Sequence, residues 1–217
     1  MKIVIIEDQT MVRDLLVGAC EAVFTPAQVD GAANAATGIA RCKEVGPDIV
    51  FLDLELPDRD GLDLLAELRR VAPRAKIIAL SSHTDEVTVH RVLQSQIEGF
   101  VDKNAQPAKI LREAVATVLE GRRYFSPVVR EVWQRLRDEP AAFNKLLSDR
   151  EQEVLVLVGR GYTNSEIAKQ MGLSPNTIQN HRCSIMSKLG LHSSSHLIRY
   201  ATEKGFTRLR SGGQTEK

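Results

Sequence analysis

The chain has 217 residues, of which 43% are hydrophobic and 26% are charged, a composition typical of a soluble protein with one large domain or two of about 100 residues. Its apolar runs, such as residues 3–6 and 77–80, are far shorter than the roughly 20 residues that span a bilayer, and no amino-terminal signal pattern is present. We therefore expect a cytoplasmic protein with no membrane partner, whose three widely spaced cysteines are reduced thiols rather than disulfide or zinc ligands.

The formal net charge of +1 conceals an uneven distribution along the chain. Residues 1–120 contain 13 Lys and Arg against 19 Asp and Glu, a net charge of −6, whereas residues 121–217 contain 16 against 9, a net charge of +7. We expect the acidic half to attract cations and the basic half to be drawn to a polyanion.

The first half alternates short apolar strands with amphipathic helices. This alternation predicts an α/β doubly wound fold, in which five parallel strands are covered by helices on both faces. In such folds, function gathers in the loops at the carboxyl ends of the strands. The strands are predicted at residues 2–6, 28–32, 48–52, 76–80 and 99–101, and the helices at 11–23, 35–45, 62–71, 85–94 and 108–120.

The second half is predicted to be all helical. After an irregular stretch, residues 128–137 form a connecting helix and residues 140–145 a hinge. Ser148 and Thr163 each precede a glutamate by three residues, the pattern of a capping box, and Ser174 precedes Pro175, which is favoured at the first position of a helix. Two short helices joined by a tight turn at residues 172–173 indicate a helix-turn-helix.

Reactive side chains stand where the predicted strands of the first half end. Three carboxylates brought to one rim would repel, and a hard divalent cation such as Mg²⁺ is a natural way to hold them. A lysine and a hydroxyl beside that cation could bind the oxygens of a phosphoryl group, which is most of what phosphoryl transfer requires. These residues are Glu7, Asp8, Asp53, Ser81 and Lys103.

Residues 1–120 resemble the receiver domain of a two-component response regulator, which has a flavodoxin-like fold. The resemblance rests on the five residues above, on Phe100 and on the run DLELPDRDG at residues 53–61. It implies that a histidine kinase phosphorylates Asp53. It also implies a Mg²⁺ site in which Asp8 and Asp53 are ligands, Glu7 binds through water and Glu55 contributes its backbone carbonyl.

The same resemblance implies three residues that sense the phosphoryl group. Lys103 would pair with it, Ser81 would swing in to donate a hydrogen bond, and Phe100 would move inward to carry the signal to the surface. Taken alone, each of these residues has a plainer explanation, such as a solvated lysine, a loop serine or a core aromatic ring. The chain departs from many receivers in placing Asn104, not proline, after the lysine, which disfavours a cis peptide bond there.

The predicted second helix of the helix-turn-helix has an exposed polar face. At 100° per residue, Ile178, Ile185 and Leu189 form the buried side. Amide side chains on the opposite side suit bidentate reading of adenine, while hydroxyl and basic groups suit phosphates. The side chains on or beside that face are Asn176, Thr177, Gln179, Asn180, Cys183 and Lys188, with Arg182 nearer the buried side and expected to reach a phosphate.

This half resembles the LuxR-type domain of the NarL/FixJ class of response regulators. The matching runs are LSDRE at residues 147–151, TNSEIA at 163–168, SPNTI at 174–178 and KLG at 188–190. The resemblance implies DNA contacts from Gln179, Asn180 and Lys188, a backbone contact from Lys169 or Thr163, and dimerisation partly through the last helix. Gln179 and Asn180 replace the lysine and the variable residue of many members, which leaves the target sequence open.

The predicted organisation is a receiver at 1–121, a linker at 122–145, a helix-turn-helix domain at 146–207 and a flexible tail at 208–217. The function it predicts is a transcription regulator in which phosphorylation controls dimerisation and binding to an inverted repeat in double-stranded DNA. One alternative is a DNA-binding protein that ignores phosphorylation, and another is a helical bundle that binds protein. An enzyme is disfavoured, because the second half has no nucleophile–base pair or metal-ligand cluster.

Overall fold

The computed structural model describes residues 1–104 and 107–208. The chain divides into two compact units, one of residues 1–84 with 91–131 and the other of residues 85–90 with 132 onward. In the described part of the chain, no helix has the length and apolarity that crossing a bilayer demands. The strands are β1 (Lys2–Ile6), β2 (Gln28–Ala32), β3 (Ile49–Asp53), β4 (Lys76–Ser81), β5 (Gly99–Asp102) and β6 (Tyr124–Phe125).

Helices follow the first five strands and make up the rest of the chain. Two short 3₁₀ turns, Gly61–Leu64 and Phe206–Arg208, supplement them. The α-helices are α1 (Thr10–Val23), α2 (Ala35–Val45), α3 (Leu65–Val71), α4 (Glu86–Gln94), α5 (Pro107–Leu119), α6 (Pro127–Asp138), α7 (Phe143–Leu146), α8 (Asp149–Gly159), α9 (Asn164–Met171), α10 (Pro175–Leu189) and α11 (Ser194–Lys204).

The six strands form one parallel sheet in the order β2-β1-β3-β4-β5-β6. The chain therefore moves to one side of β1 to form β2 and to the other side to form β3. This reversal makes the carboxyl ends of β1 and β3 the topological switch point, where open α/β sheets bind their ligands. The doubly wound parallel sheet predicted from the sequence is confirmed.

Both faces of the sheet are buried, which explains why its central strands are apolar without alternation. In β3, every residue from Ile49 to Asp53 is buried. On one face of the sheet, Ile3 and Ile5 of β1 pack into a core with helices α1 and α5. On the other face, α2 lies close enough that a Cβ on Gly38 would be 2.8 Å from Cγ1 of Ile6.

The sheet has a sixth strand where the sequence indicated irregular chain. Residues 124–125 pair with Gly99 and Phe100 of β5 in parallel register. Two residues are too short a run to show a strand period, so the pairing is set by the tertiary structure and not by local pattern. The predicted hinge at 140–145 was also wrong in part, because Phe143–Leu146 forms the short helix α7.

The second unit is a bundle whose helix ends match the predicted capping signals. Capping boxes join Ser148 to Glu151 and Thr163 to Glu166, and the Ser174 side chain accepts from the backbone N–H of Thr177. Gly172 adopts a left-handed φ of 65° in the turn between α9 and α10, a conformation that a side chain disfavours. The predicted helix-turn-helix is therefore present.

An aromatic pair anchors the core of this bundle. Phe143 and Phe206 are fully buried and meet edge to face, with ring centroids 5.0 Å apart. Ile178 and Ile185 of α10 are fully buried, as the helical wheel predicts, while Leu189 is half-buried. The predicted flexible tail lies outside the described residues from position 209 onward.

Gly61 provides a test of the packing behind the switch point. A Cβ at this position would lie 2.8 Å from Cα of Leu54 and closer still to the carbonyl oxygen of Asp53. We expect Gly61→Ala to destabilise the first unit by about 1–3 kcal/mol, because backbone on both sides must move. Urea unfolding followed by circular dichroism measures the loss.

Gly18 is the matched control for this change. It lies on the exposed face of α1, and a Cβ there would have no atom within 4 Å. We expect Gly18→Ala to leave the unfolding midpoint unchanged or to raise it, since alanine favours helix. Equal effects of the two substitutions would contradict the packing argument.

Candidate functional site

Three carboxylates converge at the switch point. Glu7 and Asp8 follow β1, and Asp53 is the last residue of β3. Each offers a carboxylate oxygen, and these oxygens all lie within 4.8 Å of one another. Glu7 and Asp53 are almost completely buried, at 0% and 1% exposure, while Asp8 is half-buried. The structure thus brings together the three acidic residues predicted from the strand ends.

Lys103, just after β5, is the cation of this cluster. Its Nζ lies 2.8 Å from Oδ2 of Asp53 and 2.7 Å from Oε2 of Glu7. Burial alone would lower the pKa of Lys103, but the charges of the two carboxylates together raise it above the usual value. Burial raises the pKa of Glu7, reinforced by the charge of Asp53. The ammonium therefore stays charged and bridges β1 to β3.

This donor set fits a hard divalent cation. Carboxylate oxygens are the ligands that Mg²⁺ and Ca²⁺ take in proteins, and the three carboxylates exceed the single Lys103 ammonium by two negative charges. A divalent cation would balance that excess. The backbone N–H of Glu55 donates to Oδ1 of Asp53 at 3.0 Å.

Ser81 and Phe100 occupy the positions expected of strand-end and core residues. Ser81 ends β4 at 1% exposure, and its Oγ accepts a hydrogen bond from the N–H of His83 at 3.0 Å. The His83 ring lies at the rim, with Nε2 3.4 Å from Oε1 of Glu55. Phe100 of β5 is fully buried.

The loop after Asp53 is fastened on two sides. The Asp58 carboxylate accepts from the N–H groups of Ala35 and Ala36, at 3.0 and 3.2 Å. Although partial burial acts in the opposite direction, these two bonds lower the pKa of Asp58. Asp60 accepts from Nη1 of Arg91 at 2.9 Å. The loop is thereby tied to the start of α2 and to α4.

Asn104, the residue after Lys103, is fastened by hydrogen bonds of its side chain. Among the described residues, the cis peptide bond is Thr25–Pro26, so Lys103 precedes a trans bond. The Asn104 side-chain amide donates to Oδ1 of Asp102 at 2.9 Å and to the carbonyl of Ser82 at 3.1 Å. These bonds turn the chain after Lys103 and join it to the loop after β4.

The predicted DNA-binding residues lie mainly on the surface of the second unit. Thr163 and Thr177 use their hydroxyls in helix caps, bonding Glu166 and Ser174. Arg182 is half-buried, and its guanidinium donates to Asn164 of α9 at 3.0 Å. The remaining side chains are exposed, namely Lys169, Asn176, Gln179, Asn180, Cys183 and Lys188.

A buried carboxylate beneath α10 was not singled out from the sequence as a site residue. Glu151 is 4% exposed. It accepts from Nζ of Lys188 at 2.6 Å and from Oγ of Ser184 at 2.7 Å, as well as from the N–H of Ser148. Despite its burial, these bonds lower the pKa of Glu151 from 4.5 to about 2. Lys188, whose side chain is 40% exposed, is therefore ion-paired with Glu151 within the second unit.

Comparison with known families agrees with both halves of the structure. Residues 3–115 match the response regulator receiver domain, and residues 145–201 match the bacterial regulatory proteins of the luxR family. The chain therefore belongs to the response regulators, with a receiver domain followed by a LuxR-type DNA-binding domain. The resemblance to the NarL/FixJ class is confirmed.

Named relatives span almost the whole chain. The response regulator protein VraR of Staphylococcus epidermidis is 28% identical over 204 residues, which cover 93% of this chain and 96% of that protein. Among solved structures, RcsB of Salmonella enterica serovar Typhimurium bound to promoter rprA with a phosphomimetic has a TM-score of 0.64 at 26% identity. That match covers 94% of this chain and 98% of RcsB.

Glu151 gives the second unit a measurable acid sensitivity. Its folded pKa lies below its unfolded value, so its contribution is complete above pH 4.5 and is lost as the pH falls toward 2. We expect Glu151→Gln to lower the free energy of unfolding by about 2–3 kcal/mol at pH 7 and by much less at pH 2.5. Urea unfolding at several pH values measures the difference.

Glu153→Gln is the control on the same helix. Glu153 pairs with Arg150 on the surface, where the two side chains are 58% and 42% exposed. Exposed pairs contribute little, so we expect almost no change at any pH. A Glu151→Gln deficit that stayed constant down to pH 2.5 would show that its carboxylate charge is not the stabilising feature.

Proposed function

We propose that a histidine kinase phosphorylates Asp53 and that this controls dimerisation and sequence-specific DNA binding. In this proposal residues 1–121 form the phosphoacceptor domain, 122–145 the linker and 146–207 the DNA-binding domain. The observation that carries it is the Lys103 ammonium held between the buried carboxylates of Asp53 and Glu7. A lysine in that position is ready to pair with a phosphoryl oxygen once Asp53 is modified.

The residues of the site have complementary parts in the transfer. A carboxylate oxygen of Asp53 forms the new P–O bond while the P–N bond of the phosphohistidine breaks, and the electron pair stays on the imidazole. Lys103 compensates negative charge beside that oxygen. The Ser81 oxygen already accepts a bond from His83, which leaves its hydroxyl proton to be donated to the phosphoryl group.

Mg²⁺ would complete the site. Asp8 and Asp53 would bind it directly, Glu7 through water and Glu55 through its carbonyl, and the cation would neutralise charge on the incoming phosphoryl group. The net negative charge of the three-carboxylate cluster supports this assignment.

The output we propose is regulation of transcription in the cytoplasm, not catalysis of a metabolic reaction. One solved relative is described as two RcsB dimers bound to two parallel DNAs, with a TM-score of 0.65 at 26% identity. By analogy, this chain would form a homodimer when phosphorylated. Two linked α10 helices would then gain avidity for an inverted repeat.

Phosphorylation can be tested by intact-mass measurement after incubation with acetyl phosphate and Mg²⁺. We expect the wild type to gain one phosphoryl group, and both Asp53→Asn and EDTA treatment to abolish the gain. Asp63→Asn is the matched control, because Asp63 is an exposed aspartate ten residues away, outside the carboxylate cluster.

A wild type that gained no mass would instead favour a DNA-binding protein that ignores phosphorylation. A gain that survived Asp53→Asn would reject Asp53 as the acceptor.

The consequence for assembly is measured separately. We expect acetyl phosphate to shift the wild type, but not Asp53→Asn, from monomer to dimer in sedimentation velocity. Affinity for an inverted repeat selected from genomic fragments is expected to rise by about 100-fold or more, because the second half-site binds intramolecularly. A protein that stayed monomeric while gaining affinity would contradict this mechanism.

A further inference from the structure

We propose that Asn164 is a positioning residue that fixes which hydrogen-bonding group Gln179 presents to a base, and so sets base preference at one position of the target. Asn164 is the first residue of α9, and Gln179 lies on the exposed side of α10. The inference rests on the proposed DNA binding through α10.

Asn164 bridges two side chains of α10. Its Nδ2 donates to Oε1 of Gln179 at 2.8 Å, and its Oδ1 accepts from Nη1 of Arg182 at 3.0 Å. Asn164 is half-buried; its bond to Arg182 is partly buried, while its bond to Gln179 is exposed to solvent. Gln179 in turn directs Nε2 toward Sγ of Cys183, 3.4 Å away and one turn further along α10.

The bridge gives the Gln179 amide a direction. Its oxygen turns inward to α9 and its NH₂ group turns outward along α10. A glutamine that reads adenine in bidentate fashion must present oxygen and NH₂ together. Here the oxygen is already engaged, so the group offered to DNA is a donor. Guanine suits such a donor best, because its major-groove edge presents two acceptors, N7 and O6, whereas adenine presents only N7 beside a donor and thymine only O4.

Arg182 contributes to the same restraint. Its guanidinium donates to the Asn164 oxygen. The Asn164 amide is thereby oriented with its NH₂ group toward Gln179. This bond uses one N–H of the Arg182 guanidinium, and through it Arg182 helps to orient Asn164.

The neighbouring amide shows what an unrestrained side chain looks like. Asn180 is exposed, and its side chain makes no hydrogen bond to the residues that the structure describes. Adjacent amides on one helix thus differ in restraint. The difference is imposed by α9, a helix that supplies no other bond to an exposed amide of α10 within the described chain.

The test is selection from randomised DNA by the full chain, with and without acetyl phosphate, read by sequencing. Gln179→Ala identifies the base position that Gln179 reads, as the one whose preference collapses. We expect the wild type to prefer guanine there. We expect Asn164→Ala to reduce that preference by about five- to tenfold while preferences at other positions are kept.

Two further variants separate positioning from folding. Ser165→Ala changes the next residue of α9, an exposed serine, and is expected to leave every preference unchanged. Asn164→Asp keeps the shape but only accepts hydrogen bonds, so the Gln179 amide must turn and present its oxygen. We expect its preference to move to a base with a donor, adenine or cytosine.

Uniform weakening by Asn164→Ala, with the preference at the Gln179 position intact, would overturn the inference and leave Asn164 as a purely structural residue. An unchanged guanine preference in Asn164→Asp would do the same, as would the absence of any position affected by Gln179→Ala. A wild type that enriches no sequence at all would instead reject the proposed DNA binding.

Discussion

Charge crowding at the ends of β1 and β3 is the constraint around which the first unit is organised. Glu7 and Asp53 are buried side by side, and the Lys103 ammonium between them offsets their repulsion. Because a charge buried without a partner is far costlier than a paired one, the loop after β5 must hold Lys103 in place. Asn104 supplies that support through Asp102 and the Ser82 carbonyl.

A change of charge on Asp53 would therefore alter contacts in several loops at once. Lys103 would have to shift its contacts, and the loop that bears it is joined to the one after Ser81. On the other side, Asp58 ties the loop after β3 to α2, and Asp60 ties it to Arg91 of α4. The loop that follows Asp53 is thus hydrogen-bonded to both α2 and α4.

The sequence predicted the parallel sheet, the capped helices and the acidic cluster, because each depends on a local pattern. The position of Asp53 at the end of a predicted strand indicated the site, and a serine or threonine in a capping pattern indicated where each helix begins. It did not predict β6, since the pairing of Tyr124 exists only against β5. It also missed Glu151 and Asn164 as organisers of α10, because their partners lie 15 to 37 residues away and no local period links them.

The pairing of Lys188 with Glu151 has a consequence for the way this protein responds to ionic strength. Each lysine or arginine that contacts a DNA phosphate normally releases a counterion condensed on the DNA. As a result, a plot of the logarithm of the binding constant against the logarithm of the salt concentration has a slope of about −0.9 for each such contact. A lysine whose charge is already balanced by a buried carboxylate, as Lys188 is by Glu151, releases few counterions when it meets a phosphate. We therefore expect binding to weaken with added salt less steeply than the basic residues of α10 would suggest.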